Sequence, residues 1–459
     1  PPNRSPGLFV VLMEASRFIH RSDMSMTFVG RFFHIFYQMP SSGVSMSERC
    51  IPRALLFSLI ILLPCCEPAF CAPEVEWITG WGTEHEDHVF DGVHVEGGGF
   101  CVVGKCGDPD SSKVNGFVMK IDATGEQEWL TVLGKQGFHD EARCIIEVHD
   151  GFIVGGTTGI SKRRSKACLW KISLSGEVTW KKVLDHKKNG AIRGLDTLDS
   201  ESFVATGYVA SDEIGIPFIS DESTGILLVS NQSGDIAWQK EIPFSQGAKV
   251  SYQKKTRVIT ICGTTWQESF EREHQDAFLV QFSCDGEKLH QHLYGGADME
   301  QCFDCEALHD GFVLAGHKAS HESGNWDVWL MRTDTEGNLL WERTYDQLSN
   351  GTSKNIFDEC YGVKQTSDGG FVLACGSGIE PDHVSDEDSP DNLWAACLLK
   401  TNAIGEPLWT YVFHQPESGH NACEWVIPHG DGKYLMLLDS DHLGEAEPSN
   451  VGLVYVSDN

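Results

Sequence analysis

Five short clusters are built from carboxylates, imidazoles and side-chain amides: His85-Glu86-Asp87-His88, His139-Asp140-Glu141, Glu300-Gln301, Asp358-Glu359 and His420-Asn421. Carboxylate with imidazole is a donor set for a divalent cation, and it is also the pairing that moves protons in acid–base catalysis. On this reading the candidate catalytic residues are His88, His139, Asp140, Glu300, Asp358 and His420. The candidate metal ligands are His85, His139, Asp140, Glu300 and Asp358, with Ca²⁺ or another divalent cation as the cofactor. Acids brought close together repel, so some would stay protonated unless a cation neutralised them. The same residues have a second reading: Asp and Glu at strand starts accept hydrogen bonds from turn amides. The choice depends on whether the fold aims them at one place.

Each cluster stands at the same phase of a repeat. A Gly precedes an aromatic residue by four in Gly125/Trp129, Gly176/Trp180, Gly234/Trp238, Gly337/Trp341 and Gly405/Trp409; in Gly286/His290 a His replaces the Trp. Successive anchors lie 51 to 68 residues apart. Upstream in each unit comes an aromatic or apolar strand: Phe100, Phe152, Phe203, Val258, Phe312, Phe371 and Tyr434. Short apolar runs alternate with Gly and Asp-Gly turns, and long helical patterns are absent. Each unit therefore reads as four antiparallel strands, a propeller blade. One blade cannot bury both its faces, so neighbours must stack around an axis. Six units end at the six anchors. The stretch after about residue 410 supplies only three strands, and 73–79, with Trp77, supplies a spare one. The expected fold is all-β: a single seven-bladed β-propeller over 72–459, closed by the mature N-terminal strand pairing with the last blade. The anchor tryptophans are expected to pack between blades. The five clusters, with Asn189-Gly190 and Ser245-Gln246 at the same phase, would then approach the innermost strands at one mouth of the central channel. The stretch 249–257 departs from the repeat, being polar and Lys-rich where an apolar strand is expected.

Residues 1–45 read as a leader or unstructured extension, and 46–71 as a secretory signal: Arg49 and Arg53, an apolar run at 54–63, then Ala69-Phe70-Cys71. The run is short for a bilayer span, and the chain is expected to be secreted, extracellular and monomeric. Twelve cysteines follow the signal, and an even count in an oxidising compartment suggests disulfides. Cys360 and Cys375 flank a turn and should face each other. Cys302-x-x-Cys305 is weak as a zinc site. Asn231 and Asn350 begin glycosylation sequons, which would make this a glycoprotein. With Lys+Arg 35 against Asp+Glu 66 and a net charge of −31, the chain is poorly suited to nucleic acid or to an anionic membrane surface. The acidic insertion at 382–391 reads as a solvated loop or a Ca²⁺ loop, the basic stretch 161–166 as a solvated hairpin, and Trp326 as a loop aromatic able to stack on a sugar.

The unit with Lys or Arg, then Asp-x-x-Gly-x-x-x-Trp, together with Asp-Gly-Gly-Phe, resembles the degenerate propeller repeats of secreted bacterial proteins and lipoproteins, and is similar to the delta-60 and quinoprotein-like repeat groups. The resemblance covers about 73–459 and implies the fold. It transfers no quinone site, and the Trp-Asp pair of WD40 proteins is not part of the repeated unit. Three functions fit: an extracellular binding module for a glycan, a protein or a small-molecule ligand; a lyase or hydrolase with a metal or acid–base site at the channel mouth; or a structural surface component.

Overall fold

The computed structural model describes residues 73–108, 113–210, 223–266, 275–296, 298–319, 325–349, 356–379, 394–413, 420–441, 443 and 450–458. Residues 1–45 and 46–71, expected as a leader and a signal, lie outside them, as do the Asn350 sequon and the insertion at 382–391. All regular structure among the described residues is β: seven four-stranded antiparallel sheets form the blades of a propeller. No helix among them is long and apolar enough to cross a membrane. The innermost strands are β2 (His88–His94), β6 (Glu141–Val148), β10 (Asn189–Thr197), β14 (Ser245–Gln253), β18 (Glu300–Leu308), β22 (Phe357–Gln365) and β26 (Asn421–Pro428), which number blades 1 to 7. The last blade is completed by β1 (Glu74–Trp81) against β28 (Asn450–Ser457). Trp77 is register partner of Tyr455 and stacks on it at 5.2 Å. The expected closure is therefore present, and it removes an open sheet edge.

The repeat residues explain how blades join. Each anchor Gly has φ between +77° and +91°, the left-handed region that a tight hairpin demands of its last loop residue. That Gly also receives the anchor of the preceding blade. A Cβ on Gly125 would come within 2.7 Å of the Trp77 ring, and one on Gly405 within 2.8 Å of Trp341. The indole N–H of Trp129, Trp180 and Trp238 donates to a carbonyl of the same neighbouring turn at 2.8–3.1 Å. Blade 4 differs from expectation: His290 holds the register of the Trp but is exposed, and His292 meets Gly337 instead. The Lys or Arg of the repeat ties down the turn between the first two strands. Lys171 pairs with Asp150 and Lys400 with Asp368 at 2.6–2.7 Å, and Arg332 pairs with Asp310. Between blades the second-strand aromatics Phe100, Phe152, Phe203, Phe312 and Phe371 are all but fully buried.

Disulfides were expected, yet all twelve cysteines are free thiols, eleven of them buried. Cys360 and Cys375 do face each other across the hairpin, without a bond. The cysteines fill small core positions: Cys302, Cys360 and Cys423 occupy the place that Val89, Ala142 and Ile192 hold in other blades. Burial raises the Cys302 thiol, and the Cys262 thiol together with burial raises Cys305, which opposes thiolate chemistry there. Asn231, the described sequon, accepts the amides of Ser233 and Asp235 at 2.9 Å through its side chain. The basic hairpin at 161–166 is solvent-exposed over Lys162–Arg164. Trp326 begins a strand and packs 4.7 Å from the His317 ring rather than standing in a loop.

Candidate functional site

Every innermost strand carries one β-bulge. The register skips a residue at Phe90, Arg143, Arg193, Ala248, Phe303, Tyr361 and Glu424, one per blade. A bulge turns its side chain away from the alternation of the strand. All seven side chains line one cavity of about 390 Å³ on the axis. His88, Lys105, Lys249, His420, Trp425 and Asp439 complete its wall.

Residues just after several of the bulges, with Lys364, build a plug. Lys249 of blade 4 reaches across the channel to Asp91 of blade 1 at 2.9 Å. Its ammonium also lies 3.7 Å over the Trp425 ring of blade 7. Lys364 lies 4.1 Å over the same ring and pairs with Asp304 at 2.9 Å. The corresponding residue of blade 6 is Gly362, where a Cβ would come within 2.8 Å of Trp425. The polar stretch that broke the repeat at 249–257 is thus explained in its first residue: Lys249 is the bolt of the plug. The cavity is consequently a cup, open toward the face where the innermost strands begin.

The wall is divided by chemistry. Arg143 and Arg193 stand on adjacent blades. Arg143 donates through Nε to Glu141 at 2.7 Å, and its guanidinium stacks 3.9 Å over Phe90. Burial and the neighbouring Arg143 bring Arg193 down to about 10. Phe303 and Tyr361 meet edge to face at 5.9 Å. On the remaining side His88 bonds Asp439 through Nδ1 and Glu86 through Nε2. Burial disfavours its charge, but the Asp439 carboxylate and both hydrogen bonds outweigh that and hold His88 up at about 9, protonated at neutral pH. Burial, with Asp439 beside it, pushes Glu424 up to about 8, so it carries a proton near neutrality. His420 stacks flat on Trp394 at 5.5 Å; burial lowers it, and its Nδ1 is buried without a partner among the described residues.

Of the residues singled out in the sequence, His88 and His420 come together in the cup. His139 stands beside it, Nε2 2.9 Å from the Glu141 that holds Arg143. Asp140 and Asp358 turn from the axis. Asp140 accepts Thr158 Oγ1 at 2.5 Å and the Gly159 and Lys135 amides at 3.2–3.3 Å. Asp358 accepts the Gln347 and Leu348 amides at 2.6 and 3.0 Å. Asp87 does the same for Thr83 and Gly107. These acids tie loops together. His85 is exposed in the loop before β2. Glu300 lines a separate cleft off the axis. Among the described residues no three His, Cys, Asp or Glu side chains converge as metal ligands. Arg143, Arg193, Tyr361, Glu424 and Asp439 were not anticipated. Four of the bulge residues fall three positions after a strand-start acid: Asp87 to Phe90, Asp140 to Arg143, Glu300 to Phe303 and Asp358 to Tyr361.

The fold and the cup define a β-propeller, an architecture commonly used as a binding or recognition module. Among solved structures the chain is similar to the WD40 domain of Pan2 from Neurospora crassa, at 12% identity and a TM-score of 0.48, over 82% of this chain and 90% of that one. A likeness of that size carries no residue role across. No protein-family model matches the sequence, and no curated protein does.

Proposed function

We propose that the chain is an extracellular recognition module whose cup seats a carboxylated sugar of an acidic glycan. The reading is carried by the composition of the bulge ring: two guanidiniums from adjacent blades on one side, two aromatic rings on another. A guanidinium meets a carboxylate in a planar fork, and aromatic faces cover the apolar face of a sugar ring. The cup volume falls in the small-ligand range. Extracellular placement rests on the signal-like segment at 46–71. The test is an array of uronate-terminated glycans beside neutral counterparts and proteins. Binding to the carboxylated set, weakened at least tenfold by Arg193→Met, supports the reading. Binding confined to neutral glycans or to proteins overturns it.

A second reading, a lyase or hydrolase, is favoured by one observation: Glu424 at about 8 and His88 at about 9 share the cup. Glu424 would deliver its proton to a departing sugar oxygen. New reducing or unsaturated ends formed from an acidic oligosaccharide, and abolished by Glu424→Gln, would establish it. Unaltered oligosaccharide after prolonged incubation would dismiss it.

A further inference from the structure

A second cavity, of about 330 Å³, lies off the axis against blade 5 and does not share the cup. Its wall is acidic: Asp298, Glu300, Asp327 and Glu342 face a single Lys318. Glu300 is the strand-start acid of its blade, the position where Asp87, Asp140 and Asp358 tie loops together. It is one methylene longer than they are. Glu300 Oε2 is buried without a hydrogen-bond partner among the described residues, in a residue only 3% exposed. A buried carboxylate oxygen left unmatched is costly unless something supplies a donor.

The loop beside it is shaped around that oxygen. A Cβ on Gly295 would run into Asp276 Oδ1 and come within 2.9 Å of Glu300 Oε2. Two carboxyl groups therefore converge on a bare Cα, and only Gly leaves the space open. Lys318 is drawn over the Trp329 ring, 5.2 Å from its centroid. The acids do not form a metal cage, since no three described ligand groups meet. A primary ammonium asks for something different: three N–H donors toward separate acceptors, with an apolar stem behind.

We propose that this cleft seats an alkylammonium group, from a lysine of a partner protein or from a polyamine, against Glu300 and Asp327 of its wall. The site goes beyond the glycan reading and does not depend on it. Burial, with Asp276 and Asp298 nearby, holds Glu300 up at about 7; burial, with Asp346 and Asp358 nearby, holds Asp327 at about 6; Lys318 opposes both shifts. An arriving cation favours both ionised forms, so binding releases protons at neutral pH.

The test is calorimetric titration of the full chain at pH 8 and low salt. The probes are acetyl-Gly-Lys-Gly-amide, 1,4-diaminobutane, and the peptide with norleucine in place of lysine. At least one amine should bind, the norleucine peptide at least tenfold more weakly. Glu300→Gln should weaken the amine at least tenfold while keeping its melting temperature. Gly295→Ala, which fills the space from the loop, should do the same if Glu300→Gln does not fold. Binding of the peptide alone assigns the ligand to a partner's lysine, of the diamine alone to a polyamine, and of both to the ammonium without its context. Failure of both amines with the wild-type chain, or equal binding by the folded variants, overturns the proposal.

Discussion

Replacing Lys249 by Met removes the bolt of the plug and leaves Asp91 buried opposite an apolar side chain. The Asp91 carboxylate would keep the Gly92 amide at 2.7 Å and the Ile145 amide at 3.4 Å but lose its only ion-pair partner among the described residues. Breaking one side of a buried pair costs about 3 to 5 kcal/mol. Both side chains are well buried, with 14% and 6% of their surfaces exposed, so solvent screening relieves little of this. The pH dependence has a definite sign. Burial already raises Asp91, and Lys249 is the largest influence opposing that rise. Without Lys249 the folded carboxyl binds its proton more tightly than the unfolded one does. The stability of the variant therefore falls as pH rises from the ordinary carboxylate range through the raised folded value. The assay is urea unfolding of wild type, Lys249→Met, Asp91→Asn and the double variant at pH 5 and pH 8. Lys249→Met should lose more at pH 8 than at pH 5, and the double variant should recover much of the loss. A loss below about 1 kcal/mol at pH 8, the size of an exposed pair, would refute the plug, as would a double variant with no coupling.

Other outcomes follow from the same geometry. Gly362→Ala should lose about 1 to 3 kcal/mol in urea unfolding, because its Cβ would press on the Trp425 ring. His88, raised to about 9, contributes stability that is full below about 6.5 and is lost as pH rises through 9. His88→Gln should flatten that fall, removing about 3 kcal/mol of it in melts between pH 6 and pH 9.5. Deleting residues 73–81 should bare the edge of β28 and produce oligomers by light scattering, where the closed chain gives one species.

The fold was legible because a repeat constrains both its strands and its count. Gly125 and its equivalents need a left-handed φ and also leave room for a neighbour's indole, so the Gly-to-Trp spacing recurs in nearly every unit. Trp77 declared the closure because 73–79 supplies the one strand that the stretch after about residue 410 lacks. The site was less legible, for a geometric reason. A bulge breaks the period of two, so Arg143 or Tyr361 appears in the sequence as one more residue of ambiguous face. The acids that looked most chemical, Asp140 and Asp358, are conspicuous because turns need them. Lys249 appeared as a defect in the pattern because its partner, Asp91, lies 158 residues away in sequence and across the axis. Cys360 faced Cys375 as the hairpin required, but facing alone does not make a bond.

The central claim is that a blind cup, walled by the seven bulge residues, is where ligand sits. Ala248 is the smallest of the seven and carries no charge or hydrogen-bonding side chain. Ala248→Trp would fill the cup while leaving every charged group in place. Titrated with a uronate-terminated oligosaccharide that binds the parent chain, this variant should show affinity reduced at least a hundredfold. Full-strength binding by a folded Ala248→Trp chain would contradict the account.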